Sequence, residues 1–207
     1  MSADLDRLAE LLPPPAGRVA APPWHRSKAE IGFDYPADYR EFIDRYGSGE
    51  ISTGDRFRLL SVIGPCSQPL HPGRPSGLSR LVDDHLVNVH PAFTYDGADQ
   101  DMWDEDDPAY RIHPDAGGLL AWGENETGDI FFWLTHDPDP NRWPVVMWAR
   151  GPVCTHLFEG AMVAFILALF DGHHPASVLL SEPGLRWTMS ADWLRSDLKD
   201  SAGPAGA

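Results

Sequence analysis

GLLAWGENETGDIFFWLTHDPDPNRWPVVMW, residues 118–148, is the stretch that decides the fold. Its runs GLLAW, IFFWL and PVVMWA are short and rich in the aromatic and β-branched residues that favour strands. ENETGD has the Asn, Gly and Asp of a hairpin turn, and THDPDPNRW separates the second run from the third. The sequence therefore predicts three consecutive strands, near 118–122, 130–134 and 144–149.

The middle strand is apolar on both sides. Ile130, Phe132 and Leu134 alternate with Phe131 and Trp133. Because successive side chains of a strand point to opposite faces, this pattern requires cover on both faces. These strands are therefore expected at the centre of a sheet.

A helix of about three turns is predicted from YPADYREFIDRYG, residues 35–47. Pro36 fits the first helical position, and Gly47 suits a left-handed C-cap. The spacing i, i+3, i+4, i+7 places four apolar side chains on one face: Tyr39, Phe42, Ile43 and Tyr46.

Three further helices and one strand complete the predicted elements. The first helix has Leu5, Leu8, Leu11 and Leu12 on one side, the second runs from about Ser79 to His90, and the third spans 155–171, capped by Thr155 and ended by Gly172. RFRLLSVI, residues 56–63, is the strand.

These elements predict one α+β domain with a mixed or antiparallel central sheet and packed helices. The length of 207 residues and the 43% hydrophobic content fit a single core. We expect a helix and Pro-rich linker at 1–23, the domain at 24–180, and an extension with a disordered tail at 181–207.

The charge limits the classes of partner. A net charge of -15, with 31 acidic against 16 basic residues, argues against nucleic-acid binding, which needs a basic surface. An acidic surface suits a basic protein partner, or it only keeps the chain soluble.

The sequence also predicts a cytoplasmic protein that does not enter a membrane. Cys66 and Cys154 lie far apart without metal-site spacing, and the N-terminus has no apolar core of a signal peptide. The most apolar run, AMVAFILALF, is too short for a membrane span.

No metal, cofactor or catalytic residue is predicted. A calcium loop that began at Asp137 would need Gly and Glu where Arg142 and Trp148 stand, so DPDPN is interpreted as a turn. His156 follows Cys154 by two residues, which a strand-end or cap position explains.

A carboxylate-based hydrolase is the less favoured alternative. Glu124, Glu126 and Asp129 are its candidate acid–base residues. They lie on one short turn, where we expect them to point to solvent.

Three blocks resemble the SUKH (Smi–Knr-like) superfamily. YPADYREFIDRYGSGEI resembles its N-terminal block, GGLLAWGENETGDIFFWLTHDPDPNRWPVV is similar to its second block, and FEGAMVAFILALFDG to its closing helix. The resemblance covers roughly residues 24–172. It implies an α+β fold and, for many bacterial members, an immunity protein that binds and neutralises a cognate toxin, often a nuclease. Fungal relatives act as regulatory scaffolds that bind a self protein, which is the alternative function.

The candidate partner-binding surface is acidic with tryptophans. The segment 96–107 holds seven carboxylates around one tryptophan, and the resemblance does not cover it as a family block. An acidic protein can occupy the cationic cleft of a nuclease by charge mimicry, although the same carboxylates could equally be solvated turns. The residues predicted to share one groove or face are Asp101, Trp103, Asp104, Glu124, Glu126, Asp137, Asp139 and Trp143.

Overall fold

The computed structural model of the chain describes residues 3–17, 19–22, 24–25, 28, 33–53, 58–65, 110, 113, 116–150, 154–180 and 183–190. The strands are β1 (Gly49–Ser52), β2 (Arg58–Val62), β3 (Leu119–Glu124), β4 (Ile130–Leu134), β5 (Val145–Ala149), β6 (Cys154–Phe158) and β7 (Arg186–Met189). The helices are α1 (Ala3–Leu11), α2 (Ala37–Tyr46) and α3 (Met162–Phe170). The strands form one seven-stranded sheet in the order β6-β5-β4-β3-β2-β1-β7.

The predicted meander is the centre of this sheet. β4 has the predicted bounds, β5 begins one residue late, and β3 runs on to Glu124. All paired neighbours are antiparallel, with Leu119 opposite Leu134 and Ile130 opposite Trp148. The α+β class and the single domain are therefore confirmed.

Both faces of the central strands are buried, as their alternation predicts. Phe131 and Trp133 belong to the main core, to which α1, α2 and α3 contribute, and Phe132 belongs to a second cluster on the other face. That second cluster consists of Leu119, Ala121, Ile130, Phe132, Val146 and Trp148.

Helix α2 presents the predicted face to the core. Its four apolar residues have no exposed surface. Pro36 precedes the helix instead of opening it, because its ψ of 141° is extended. Gly47 ends the helix with a φ of 75°, a conformation that favours glycine, and its N–H donates to the Ile43 carbonyl.

The predicted helix 155–171 is wrong over its first part. Residues Cys154–Phe158 form β6, which pairs with β5, and α3 begins only at Met162. The open edge of β5 supplies backbone partners that the local apolar pattern does not reveal. Leu157, which lies in the predicted helix, is 48% exposed, because the alternation of the strand turns it away from the main core.

The core also extends past both predicted domain boundaries. Leu5, Leu8 and Leu12 of the N-terminal segment are buried, whereas Leu11 is 45% exposed, contrary to the predicted face. At the other end, β7 pairs with β1 beyond residue 180. The buried Trp187 Nε1 donates to the Tyr46 carbonyl, so this strand belongs to the domain.

Candidate functional site

Two acidic connections flank β4. The hairpin turn (residues 125–129) joins β3 to β4, and the Asp-Pro loop (residues 135–144) joins β4 to β5. Because β4 is a five-residue strand, its first and last Cα atoms lie about 13 Å apart. Glu124 and Glu126 therefore lie at one end of the sheet, and Asp137 and Asp139 at the other. A partner surface that includes all four residues would therefore have to span the length of β4.

The hairpin turn is built around the buried carboxylate of Asp129. Its Oδ2 accepts from Asn125 Nδ2 at 2.7 Å and lies 3.1 Å from the Thr127 hydroxyl, and its Oδ1 accepts from Arg150 N at 2.8 Å. Asn125 Oδ1 accepts in return from Asp129 N. Asp129 therefore does not point to solvent as expected, because its carboxylate accepts from side chains of the turn and from the Arg150 backbone N–H.

Glu126 ties the hairpin turn to β2. Its exposed side chain accepts from Arg58 N at 2.9 Å, and its own N–H donates to the Arg58 carbonyl at 3.1 Å. Glu124 ends β3 and is paired there with Ile130 and Ser61. Glu126 and Asp129, two of the three candidate hydrolase carboxylates, thus hold backbone groups in place.

In the Asp-Pro loop, aspartate side chains accept from backbone N–H groups two residues further on. This confirms the interpretation of DPDPN as a turn. Asp137 Oδ1 accepts from Asp139 N at 2.8 Å, and Asp139 Oδ1 accepts from Asn141 N at 3.0 Å. The second bond caps the 3₁₀ turn Pro140–Arg142. Asn141 Oδ1 also accepts from Ala37 N, which joins the loop to the first residue of α2.

Trp143 anchors the Asp-Pro loop from inside. Only 5% of this residue is exposed, and its Nε1 donates to the Asp137 carbonyl at 2.6 Å. The Phe33 ring lies edge-on to it at 5.0 Å between centroids. The indole is therefore enclosed by the core and has little exposed surface to offer a partner.

The carboxylates of this loop are weakly compensated. Arg142 NH1 lies 3.6 Å from Asp137 Oδ2, and its Nε lies 4.0 Å from Asp139 Oδ2, at a guanidinium that is largely exposed. Such solvated pairs contribute little. Half of the Asp139 side chain is exposed. Phe158, the last residue of β6, pairs with Val145, so the exposed Glu159 that follows it lies at the same end of the sheet. This end therefore presents an exposed acidic surface.

One structural carboxylate escaped the sequence analysis. Asp38 Oδ2 accepts from Val163 N at 3.0 Å and so caps α3, whose own N-cap residue, Ala161, cannot do so. Burial raises the pKa of the Asp38 carboxyl, while hydrogen bonds from Val163 and nearby backbone N–H groups oppose the rise. The two residues are far apart in sequence, so no local pattern marks the pair.

The remaining predicted residues, Asp101, Trp103 and Asp104, lie outside the described residues, as does the predicted helix from Ser79 to His90. Within the described ranges, no three His, Cys, Asp or Glu side chains are placed to hold a metal ion. No described helix is long and apolar enough to cross a membrane.

Comparison with known protein families, with curated proteins and with solved structures finds no match to this chain.

Proposed function

We propose that this chain is a non-enzymatic, cytoplasmic protein-binding module of the immunity type, which neutralises a cognate toxin with a basic active site, such as a nuclease. The SUKH-like blocks motivate this class. The observation that carries the proposal is the exposed acidic surface at the Asp-Pro loop, where caps and a buried indole fix the carboxylates.

Fixed carboxylates suit recognition of a basic surface. Asp137 and Asp139 use one oxygen each to accept backbone N–H groups, so the turn sets the direction of each side chain. Little conformational entropy is then lost on binding. Their charge would accelerate encounter with a cationic cleft and make the association rate dependent on salt.

The hairpin turn is the less suitable end. The Arg150 side chain lies over Gly128, so close that a Cβ at this glycine would stand 2.9 Å from Arg150 Cδ. Glu126 is already bonded to the Arg58 backbone. Arg150 thus adds a positive charge at the hairpin turn, as Arg142 does at the Asp-Pro loop. The preference for the Asp-Pro loop therefore rests on its capped, partly exposed carboxylates, since Asp129 of the hairpin turn is buried.

A charge-removal pair tests the assignment. Asp137→Asn with Asp139→Asn removes two charges while each amide oxygen can still accept its backbone N–H. Glu124→Gln with Glu126→Gln removes the same charge at the hairpin turn and is the matched control. Association with the product of the adjacent gene is measured at low and high salt.

We expect the Asp-Pro loop variant to lower the association rate about tenfold at low salt and much less at high salt. The hairpin-turn variant should change the rate by less than about twofold. If the hairpin-turn variant lowered the association rate as much as the Asp-Pro loop variant, or more, the Asp-Pro loop would not be the partner site. An adjacent gene product that is neither toxic nor bound would favour the scaffold alternative. Turnover of a substrate that disappears on Glu126→Ala would instead support the hydrolase.

A further inference from the structure

A thiol and two imidazoles meet where β6 packs beside the chain that follows α3. Cys154 and His156 are two residues apart on β6 and therefore point to the same face. The Sγ of Cys154 lies 3.4 Å from His156 Nε2. The His174 ring lies edge-on to the His156 ring, with 5.7 Å between centroids. None of these groups takes part in the acidic surface.

The neutral His174 ring is held in one tautomer. The ring is buried, and its Nδ1 accepts from Ala176 N at 3.1 Å, so the neutral ring carries its proton on Nε2. That N–H has no acceptor among the described residues. Burial, and then the charge of His156, lower the pKa of His174. Of the two imidazoles, His156 is the one whose ring nitrogen contacts the Cys154 sulfur.

We propose that Cys154 is a reactive thiol, with His156 as its proton acceptor, and that it forms mixed disulfides with low-molecular-weight disulfides. The thiolate is the nucleophilic form of cysteine, and an adjacent imidazolium favours it. Both residues are partly exposed, and Cys154 also packs against the edge of the main core, so the proposal requires a small reagent.

The step balances without another reactant. The thiol proton moves to His156 Nε2, and the Cys154 sulfur attacks one sulfur of the disulfide R–S–S–R. The new Cys154–S–S–R bond forms as the old S–S bond breaks, and the departing thiolate takes up the proton. The cysteine sulfur is oxidised, and the departing sulfur is reduced.

The overall charge of the protein works against such a thiol. A net charge of -15 disfavours an additional anion and repels anionic reagents. The stabilisation of a Cys154 thiolate would therefore have to come from its immediate neighbour, His156. A disulfide reagent without charge, dithiodipyridine, avoids the repulsion and reports only on the thiolate.

The test uses the full chain with Cys66→Ser, which leaves Cys154 as its one thiol. The reaction rate with dithiodipyridine is followed from about pH 6 to about pH 9. His156→Gln should slow the reaction about three- to tenfold at neutral pH and move the midpoint up towards about 8.5. His173→Gln, at the exposed neighbour of His174, is the matched control and should leave both unchanged.

Thermal unfolding of each variant establishes that it is folded, and His156→Asn replaces the glutamine variant if that one is not. The proposal would be overturned if the Cys66→Ser protein, the parent of these variants, did not react with dithiodipyridine. A folded His156 variant with the rate and midpoint of the parent would also overturn it, because packing alone would then explain the contact.

Discussion

The hairpin turn and the Asp-Pro loop have similar compositions and opposite constructions. Both contain Asp and Asn, and both connect strands of the same meander. The hairpin turn buries its carboxylate, Asp129, under three donors. The Asp-Pro loop buries an indole, Trp143, and leaves the Asp139 carboxylate half exposed.

The difference separates structural carboxylates from those available to a partner. An Asp that satisfies buried N–H groups is required by the fold, whatever the protein binds. An Asp that caps an exposed turn with one oxygen retains acceptor capacity towards solvent. Acidic composition alone does not distinguish the two, whereas the position of the buried anchor does.

The largest expected effect is at the anchor of the Asp-Pro loop. Trp143→Ala should lower the free energy of unfolding by about 3–5 kcal/mol, because it opens a cavity beside Phe33 and removes the bond to the Asp137 carbonyl. Urea denaturation measures the change. A loss below about 1 kcal/mol would mean that the indole is not enclosed and could still bind a partner.

A smaller loss is expected at the anchor of the hairpin turn. Asp129→Ala should cost about 3 kcal/mol, since it leaves Arg150 N and Asn125 Nδ2 without their acceptor. Asp139→Ala, which removes an exposed cap, is the control and should cost about 1 kcal/mol. Both losses are measured by urea denaturation. If the two variants lost the same unfolding free energy, the distinction between a structural Asp129 and an available Asp139 would be wrong.

The smallest effect concerns acid sensitivity at the Asp-Pro loop end, where His113 N donates to the Leu119 carbonyl and the His113 ring contacts Phe33. Burial lowers the pKa of His113 below its usual 6.5. The unfolded chain then binds this proton more tightly, so the contribution is present above pH 6.5 and is lost as pH falls through the folded pKa.

His113→Gln should therefore lose less stability than the wild type between about pH 7 and about pH 5. Denaturation curves across this range test the prediction. His174, whose pKa is also lowered, contributes equally to both proteins. Parallel stability curves would show that His113 is not desolvated in the folded state.

The candidate site was only partly predictable. The turn identity of DPDPN followed from its prolines and aspartates, and the structure confirms it through the cap at Asp139. The burial of Trp143 did not follow, because Phe33 and the Asp137 carbonyl enclose it through tertiary contacts. The division of the acidic residues between two ends follows from the antiparallel order, which is visible only once the strands pair.

By itself, the sequence determined the elements whose signals are local. Alternation in IFFWL gave β4 and its two buried faces, and the i, i+3, i+4, i+7 spacing gave α2. The tertiary structure alone decided that residues 154–158 are a strand, that β7 joins β1, and that Asp38 caps α3. The pairing of β7 with β1 and the cap on α3 join groups far apart in the chain, and β6 pairs with the neighbouring strand β5. Each depends on the hydrogen-bond partner of a backbone group, and hydrophobic periodicity carries no information about such partners.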